Sequence, residues 1–407
     1  MTTTIINKNK KPNVPNSTDK GNVIRNVPHL RFPEFEGEWE KCKFKDVCSI
    51  STGNKNTQDK ADDGIYPFYV RSQTVERINS WTFDGEAILT AGDGVGVGKV
   101  FHHSYGKIGV HQRVYILSDF KCDANYLFHF FSSKFYNRVK RMSAKNSVDS
   151  VRKEMITDMP LSLPCHKEQV KIGHMLSLLD ERIATQNKII EKMQTLIKGM
   201  EDNLLDNPLW QKTYLHSFMQ FFSTNSLSWE QLSYEDGKIR NLHYGLIHSF
   251  QTSGINSASL PMVKYGAIPK QYTLCQVGDV AFADASEDTN EIGKSVEFVD
   301  TIDVDTICGL HTIHGRDVKD KTLVGFKGFA FNSRYFHNQI KRLAQGTKVF
   351  SITANNLSSC YVYLPDLETQ KAIVNLLKTY EAKLLVSKRL LEHYEKQKQY
   401  LLRQMFI

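Results

Sequence analysis

Long apolar runs are missing from this chain of 407 residues. No stretch approaches the ~18 consecutive apolar positions of a membrane-spanning helix, and the residues after Met1 lack the apolar core of a signal peptide. A membrane partner is therefore excluded, and the cytoplasm is the expected location. Paired cysteines are missing as well: Cys42, Cys48, Cys122, Cys165, Cys275, Cys308 and Cys360 are an odd, scattered set with no CxxC spacing, so reduced structural thiols are expected. Neither sign of charge dominates. Lys and Arg number 52 against 44 Asp and Glu, and the net +8 is compatible with a polyanionic partner without establishing one. With 41% hydrophobic and 24% charged residues, fibrous and disordered classes are excluded, and the length suits two or three domains.

Catalytic motifs are scarce too. Gly92–Lys99 resembles a phosphate loop, but Asp93 stands where glycine is needed and Val100 where a hydroxyl is needed. Its alternating glycines suit a tight turn or a close backbone approach. Pro365-Asp366 with Glu381-Ala382-Lys383 spells a nuclease pattern, yet on one straight helix Asp366 and Glu381 stand about 22 Å apart and cannot share an ion. Asp206-Asn207-Pro208 lacks the second proline of an amino-methylating loop. His102-His103 and His311…His314 lack the carboxylate or cysteine partners of a metal set, so no metal site is expected, and no GxSxG elbow is found. The chain is read as non-catalytic on its own, with no cofactor bound by it.

What the sequence does contain is a repeat. Val148–Ile172 aligns without gaps on Val349–Ile373 at an offset of 201, with six identities, among them Leu163-Pro164/Leu364-Pro365, Gln169/Gln370 and Ile172/Ile373. Trp39-Glu40 is echoed by Trp229-Glu230. Residues 1–27 read as a disordered leader, polar and apolar-poor. The remainder divides into globular segments at 28–164 and 208–364 and helical segments at 165–207 and 365–407. Within the globular segments, Ala87–Thr90, Val110–Leu117 and Tyr361–Leu364 read as strands, and Asn125–Met142 as a basic helix burying Leu127, Phe131, Phe135 and Val139.

After each Leu-Pro the apolar period is helical. In the first copy the series Ile172, Leu176, Leu179, Ile183, Gln186, Ile190, Met193, Ile197, Met200, Leu204 has one polar member. The second runs Ile373, Leu377, Tyr380, Leu384, Ser387, Leu391, Tyr394, Lys398, Leu401, Met405, with two. Each helix is expected to be about 60 Å long, with one narrow seam that pairing with the other would cover. Gly173 and Gly199 each cost such a helix about 1 kcal/mol. Basic and amide side chains interleaved with aromatics recur in expected loops: Lys55, Arg71, Gln73, Lys99 and Arg113 in the first segment, and Asn241–Tyr244, Lys264, Lys270, Tyr272, Arg334 and Lys348 in the second. These side chains carry the donors that read base edges and hold phosphates.

Over residues 28–407 the chain resembles the specificity subunits of type I restriction-modification enzymes. The resemblance rests on Leu30-Arg31-Phe32-Pro33-Glu34-Phe35…Trp39, on Leu163-Pro164…Glu168-Gln169…Ile172 and its copy Leu364-Pro365…Gln370…Ile373, on Gly346-Thr347-Lys348…Ser351-Ile352 and on Val277–Asp288. One departure is Thr369 in place of Glu168, expected to weaken the second helix cap. The resemblance implies an α+β fold of two similar mixed α/β target recognition domains, related by a pseudo-two-fold internal repeat and separated by two long antiparallel coiled-coil helices. It implies recognition of a bipartite site in double-stranded DNA, one half per domain. It also implies assembly with two methylation subunits using S-adenosylmethionine and with motor-nuclease restriction subunits using ATP and Mg2+. A coiled-coil scaffold for proteins, without DNA specificity, is the alternative.

Overall fold

The computed structural model describes residues 26–143, 150–250, 253–300 and 303–407. The expected leader lies outside them except for its last two residues. Among the described residues no helix is long and apolar enough to cross a membrane. The chain forms two compact units: one reaches to Arg182 and includes Tyr394–Ile407, the other is Ile183–His393.

Each unit is framed by the same short ribbon. In the first, Glu40–Lys43 pairs antiparallel with Pro160–Leu163, and the Phe44 amide donates to the Met159 carbonyl at 3.1 Å. In the second, Gln211–Tyr214 pairs with Tyr361–Leu364, and the Leu215 amide donates to Cys360 at 2.9 Å. The later strands keep the offset of 201 seen in sequence, whereas the earlier ones stand 171 apart, so the second copy is 30 residues longer between them. The counterpart of Trp39 is therefore Trp210, not Trp229. Trp39 is buried in its core, Trp210 packs against the equivalent core, and Trp229 opens a short 3-10 turn at Trp229–Gln231. The shared Trp-Glu dipeptide misleads here, since Trp229 stands 190 residues after Trp39 and matches neither the offset of 201 nor that of 171.

From this ribbon the chain enters a long helix, His166–Leu205 in the first copy and Leu367–Gln404 in the second. One glutamine fastens each. Gln169 accepts from the Asp123 amide (3.0 Å) and donates to the Pro164 carbonyl (2.8 Å). Gln370 accepts from Leu323 (2.8 Å) and donates to Lys321 and Pro365 (3.0 Å each). Glu168 is not the cap that the sequence led one to expect; its buried carboxylate takes a two-pronged grip from Arg31, with Nε and Nη2 each at 2.8 Å. Thr369 does serve the cap, bonding Asp366 through its amide and hydroxyl at 2.8 and 3.0 Å.

The first unit holds two four-stranded sheets, and one runs Ser49–Thr52, Val114–Ser118, Ala87–Ala91, Phe101–Ser104 in spatial order. The expected strand Val110–Leu117 is two strands. Lys107–Val110 belongs to the other sheet, and a turn at His111–Arg113 switches sheets, held where the His111 ring accepts from the Arg113 amide at 3.0 Å. The helix Ala124–Met142, capped by Asp123, buries Leu127, Phe131, Phe135 and Val139, and a Cβ on Gly173 would meet its first turn at 2.7 Å. The second unit has a five-stranded sheet (Met219–Phe222, Thr312–Asp317, Val280–Ala283, Ser295–Phe298, Gly254–Ile255) beside a four-stranded one.

The long helices pair antiparallel inside each unit. In the first, Ile172 and Leu176 share a core with Leu402, Met405 and Phe406, while the later Asp180 pairs with the earlier Lys398. In the second, Gln186 donates to the Ser387 carbonyl at 3.0 Å and Ile197 faces Leu384. Ile172, Leu176, Leu179, Ile190, Ile197, Ile373 and Leu377 are buried, and Ile183, Leu204, Tyr380, Leu384, Leu391 and Leu401 half-buried. The polar interruptions are thus used: Gln186 meets its own counterpart Ser387, and Lys398 finds a carboxylate. A polar pair of this kind fixes register at some cost in stability.

Two substitutions test this framework by urea unfolding. Arg31→Ala strands the Glu168 carboxylate and is expected to cost about 3 kcal/mol, more than half recovered by adding Glu168→Gln; equal losses with and without the second change would count against the grip. Gly199 has open space around its Cβ position, so Gly199→Ala is expected to stabilise by up to about 1 kcal/mol.

Candidate nucleic-acid interface

In the first unit the fold gathers three of the candidate basic residues at one edge. Arg71 and Arg113 both face Asp93, at 2.9 and 3.6 Å. Lys55 bridges His111 in the adjoining backbone, and Gln112 donates to Asn56 at 2.6 Å. The glycine-rich loop explains the convergence: a Cβ on Gly96 would strike the Arg71 carbonyl at 2.5 Å, and Gly98 sits at φ +66° against Tyr136. Its glycines admit the protein's own backbone. Burial, with Arg71 close by, holds the His111 imidazole below its usual pKa. Gln112, Arg113, Thr52 and Tyr115 line a cleft of about 460 Å3 here. Gln73 is exposed on the neighbouring loop.

Lys99 goes elsewhere. It lies 5.5 Å over the Tyr136 ring and lines a cleft of about 520 Å3 with Lys134, Lys398 and Arg403, beside Ser132, Ser133 and Asn137. Among the described residues lining this cleft there are four cations and no carboxylate. Burial holds the Lys134 ammonium below its usual pKa. Lys398 is already paired with Asp180, and the hydroxyl, amide and remaining cationic donors that converge here suit a phosphate oxygen.

The second unit separates its candidates. Lys264 donates to the Glu230 carbonyl at 2.7 Å, and with Lys270 and Tyr272 it lies on the exposed stretch between Met262–Val263 and Val280–Ala283. Arg334 instead begins the helix Arg334–Leu343, and exposed Lys348 lies in the turn after it, where only glycine fits at position 346 (φ +134°). Arg334 lines a cleft of about 710 Å3 with Lys198, Lys294, Lys341 and His337, opposite Glu201, Asp202 and Glu291. The cluster Asn241–Tyr244 is not a loop reader. Asn241 is fully buried in the strand Ile239–Leu242, and the buried His243 ring packs between Trp229 and Tyr244. Nor is Glu381 catalytic: it accepts from the Ser253 amide at 3.0 Å.

The sequence profile of the family described as type I restriction modification DNA specificity domain matches residues 36–195 and 307–395. The chain belongs to this family. It is 25% identical over 401 residues to the type I restriction enzyme MjaVIII specificity subunit of Methanocaldococcus jannaschii, covering 91% of each. It is 26% identical over 168 residues to the EcoDI specificity subunit of Escherichia coli, where the match takes in 41% of this chain and only 37% of that one. In fold it resembles the S subunit of a type I restriction-modification system from M. genitalium, with TM-score 0.63, 14% identity and coverage of 94% and 99%. A second structure, solved for complex assembly and conformational transition of the type I system, gives TM-score 0.53 at 13% identity, covering 93% of this chain and 99% of that one. The α+β architecture with long helices is thus that of specificity subunits.

Lys134, Lys398, Arg403, Lys198, Lys294 and Lys341 were not among the sequence candidates, since each lies on a helix or far along the chain from its cleft partners. Only Lys398 left a signal, as a cation in an apolar seam.

Burial, with Glu381 and Asp202 nearby, pushes the Glu201 carboxyl up to about 7. Unfolded, it ionises from its ordinary value of 4.5 upward, so the folded state loses stability as pH rises between the two and regains none above. Glu201→Gln removes that loss. Urea midpoints are expected to coincide near pH 4.5 and to favour the variant by about 1–2 kcal/mol at pH 8; a gap independent of pH would contradict the shift.

Proposed function

We propose that this chain supplies the DNA address of a type I restriction-modification assembly. Each globular domain reads one half of a bipartite target in double-stranded DNA, and the long helices receive two methylation subunits and, through them, the motor-nuclease restriction subunits. Chemistry belongs to those partners: S-adenosylmethionine, ATP and Mg2+ are held by them, and this chain works beside them in the cytoplasm without catalysing a step. The observation that carries the reading is the family match falling in both copies of the repeat. The kinship with a structure solved for assembly of the type I system supports the partner assignment.

In mechanistic terms, Lys99, Lys134 and Arg403 meet phosphates, which position the duplex and make affinity fall with salt. Arg71, Arg113 and Gln73 in the first domain, and Lys264, Lys270, Tyr272, Arg334 and Lys348 in the second, lie exposed and supply donors for base edges and backbone. Asp93 tethers Arg71 and Arg113 in the absence of DNA and would release them only to a stronger acceptor.

The test is adenine-methylation sequencing of DNA from a host carrying this chain with its methylation partner, against the partner alone. A bipartite methylated motif is expected only with both. Exchanging residues 215–364 for the matching segment of a relative is expected to change one half of that motif. Change in both halves, or methylation by the partner alone at the same motif, would overturn the reading.

A further inference from the structure

The fold brings two cysteines to His314: Cys308, six residues before it in sequence, and the distant Cys275. Cys275 lies on the stretch leading into Val280–Ala283, where its amide donates to the Thr306 carbonyl at 2.8 Å. Cys308 ends the strand Thr306–Cys308, and His314 sits within Thr312–Asp317. Their donor atoms lie within 4.8 Å of one another, and all three residues are buried. The two sulfurs are 3.6 Å apart. Two thiolates at ~2.3 Å from one tetrahedral ion stand about 3.8 Å apart, so the pair is already near the spacing an ion would impose.

Behind the imidazole is the support that metal-bound histidines use. His314 Nε2 lies 2.7 Å from an oxygen of Asp279, whose carboxylate also takes Arg316 Nε at 2.8 Å, Arg316 Nη2 at 2.7 Å and the Gln276 amide at 2.7 Å. A carboxylate so fixed orients the ring and raises its basicity toward an ion on the other side. The neighbouring Leu274 is partly exposed, and a water would complete four ligands.

We propose that Cys275, Cys308 and His314 form a binding site for a thiophilic divalent cation of the zinc class, with Asp279 as the outer support of His314. On binding, two S–H bonds break and their protons leave to solvent, while two metal–sulfur bonds and one metal–nitrogen bond form. The resulting set of two thiolates, a neutral imidazole and a divalent ion carries no net charge, which suits a buried place. The ion would tie the stretch bearing Lys270 and Tyr272 to the sheet behind it. This site is independent of the DNA reading.

The test uses the full chain, reduced, treated with chelator and titrated anaerobically with Co2+. One equivalent is expected to give thiolate-to-cobalt charge-transfer absorption in the near ultraviolet with tetrahedral d–d bands, bleached by one equivalent of Zn2+. Cys275→Ser and Cys308→Ser should each weaken binding at least ~100-fold, Asp279→Asn by ~10–100-fold, and Cys165→Ala, which alters an exposed thiol, should leave the spectrum unchanged. No charge-transfer band in the unaltered chain would overturn the proposal without recourse to any variant. So would a band that survives Cys275→Ser, or a Cys275–Cys308 disulfide in chain purified without reductant that cobalt cannot replace after reduction.

Discussion

A glutamine at the head of each long helix has two jobs that cannot be separated. Its amide nitrogen closes the turn through the preceding proline's carbonyl, and its oxygen reaches into the globular domain to satisfy one backbone amide. Both groups are buried, so losing the side chain would leave donors and acceptors without water to replace it. Helix, ribbon and domain are therefore oriented by one side chain, and Arg31 with Glu168 adds a second tie in the first copy alone. Apolar packing holds the same end of each helix to its domain, through Ile172 and Leu176 in the first copy and Ile373 and Leu377 in the second; a heptad seam by itself tolerates sliding, and the contact between Gln186 and Ser387 removes that freedom further along.

How much of this could be read from the chain depended on whether the signal was periodic. The helices were legible because their seam repeats every turn and recurs 201 residues later, and the helix Ala124–Met142 was legible for the same reason. The strands were less so. The switch at His111–Arg113 contains no glycine or proline, and an imidazole does the work of a turn residue. Asn241 looked like a surface amide because its neighbours are polar and aromatic, but its strand lies between two others and the residue is fully buried.

The grouping of the candidate residues was legible in part, for a different reason. Arg71 and Arg113 were found because each lies in a loop rich in donors, and their meeting at Asp93 follows from the glycine-rich loop between them. The cleft around Lys99 draws on residues 99, 134, 398 and 403, whose separations in sequence carry no pattern. Ligand spacing failed at His314 as well: Cys308 precedes it by six residues, in no metal-ligand motif, and Cys275 and Asp279 come from a stretch far upstream.

The ribbon at the base of each domain has a consequence for how such chains diversify. Phe44 and Met159 are hydrogen-bonded neighbours, as are Leu215 and Cys360, so everything between them leaves and returns through one doorway. The second interior is 30 residues longer, and closing the longer loop costs well under ~1 kcal/mol. The interior behaves as a cassette: genetic exchange at the doorway can replace a whole domain interior while the ribbon and the long helices stay unaltered.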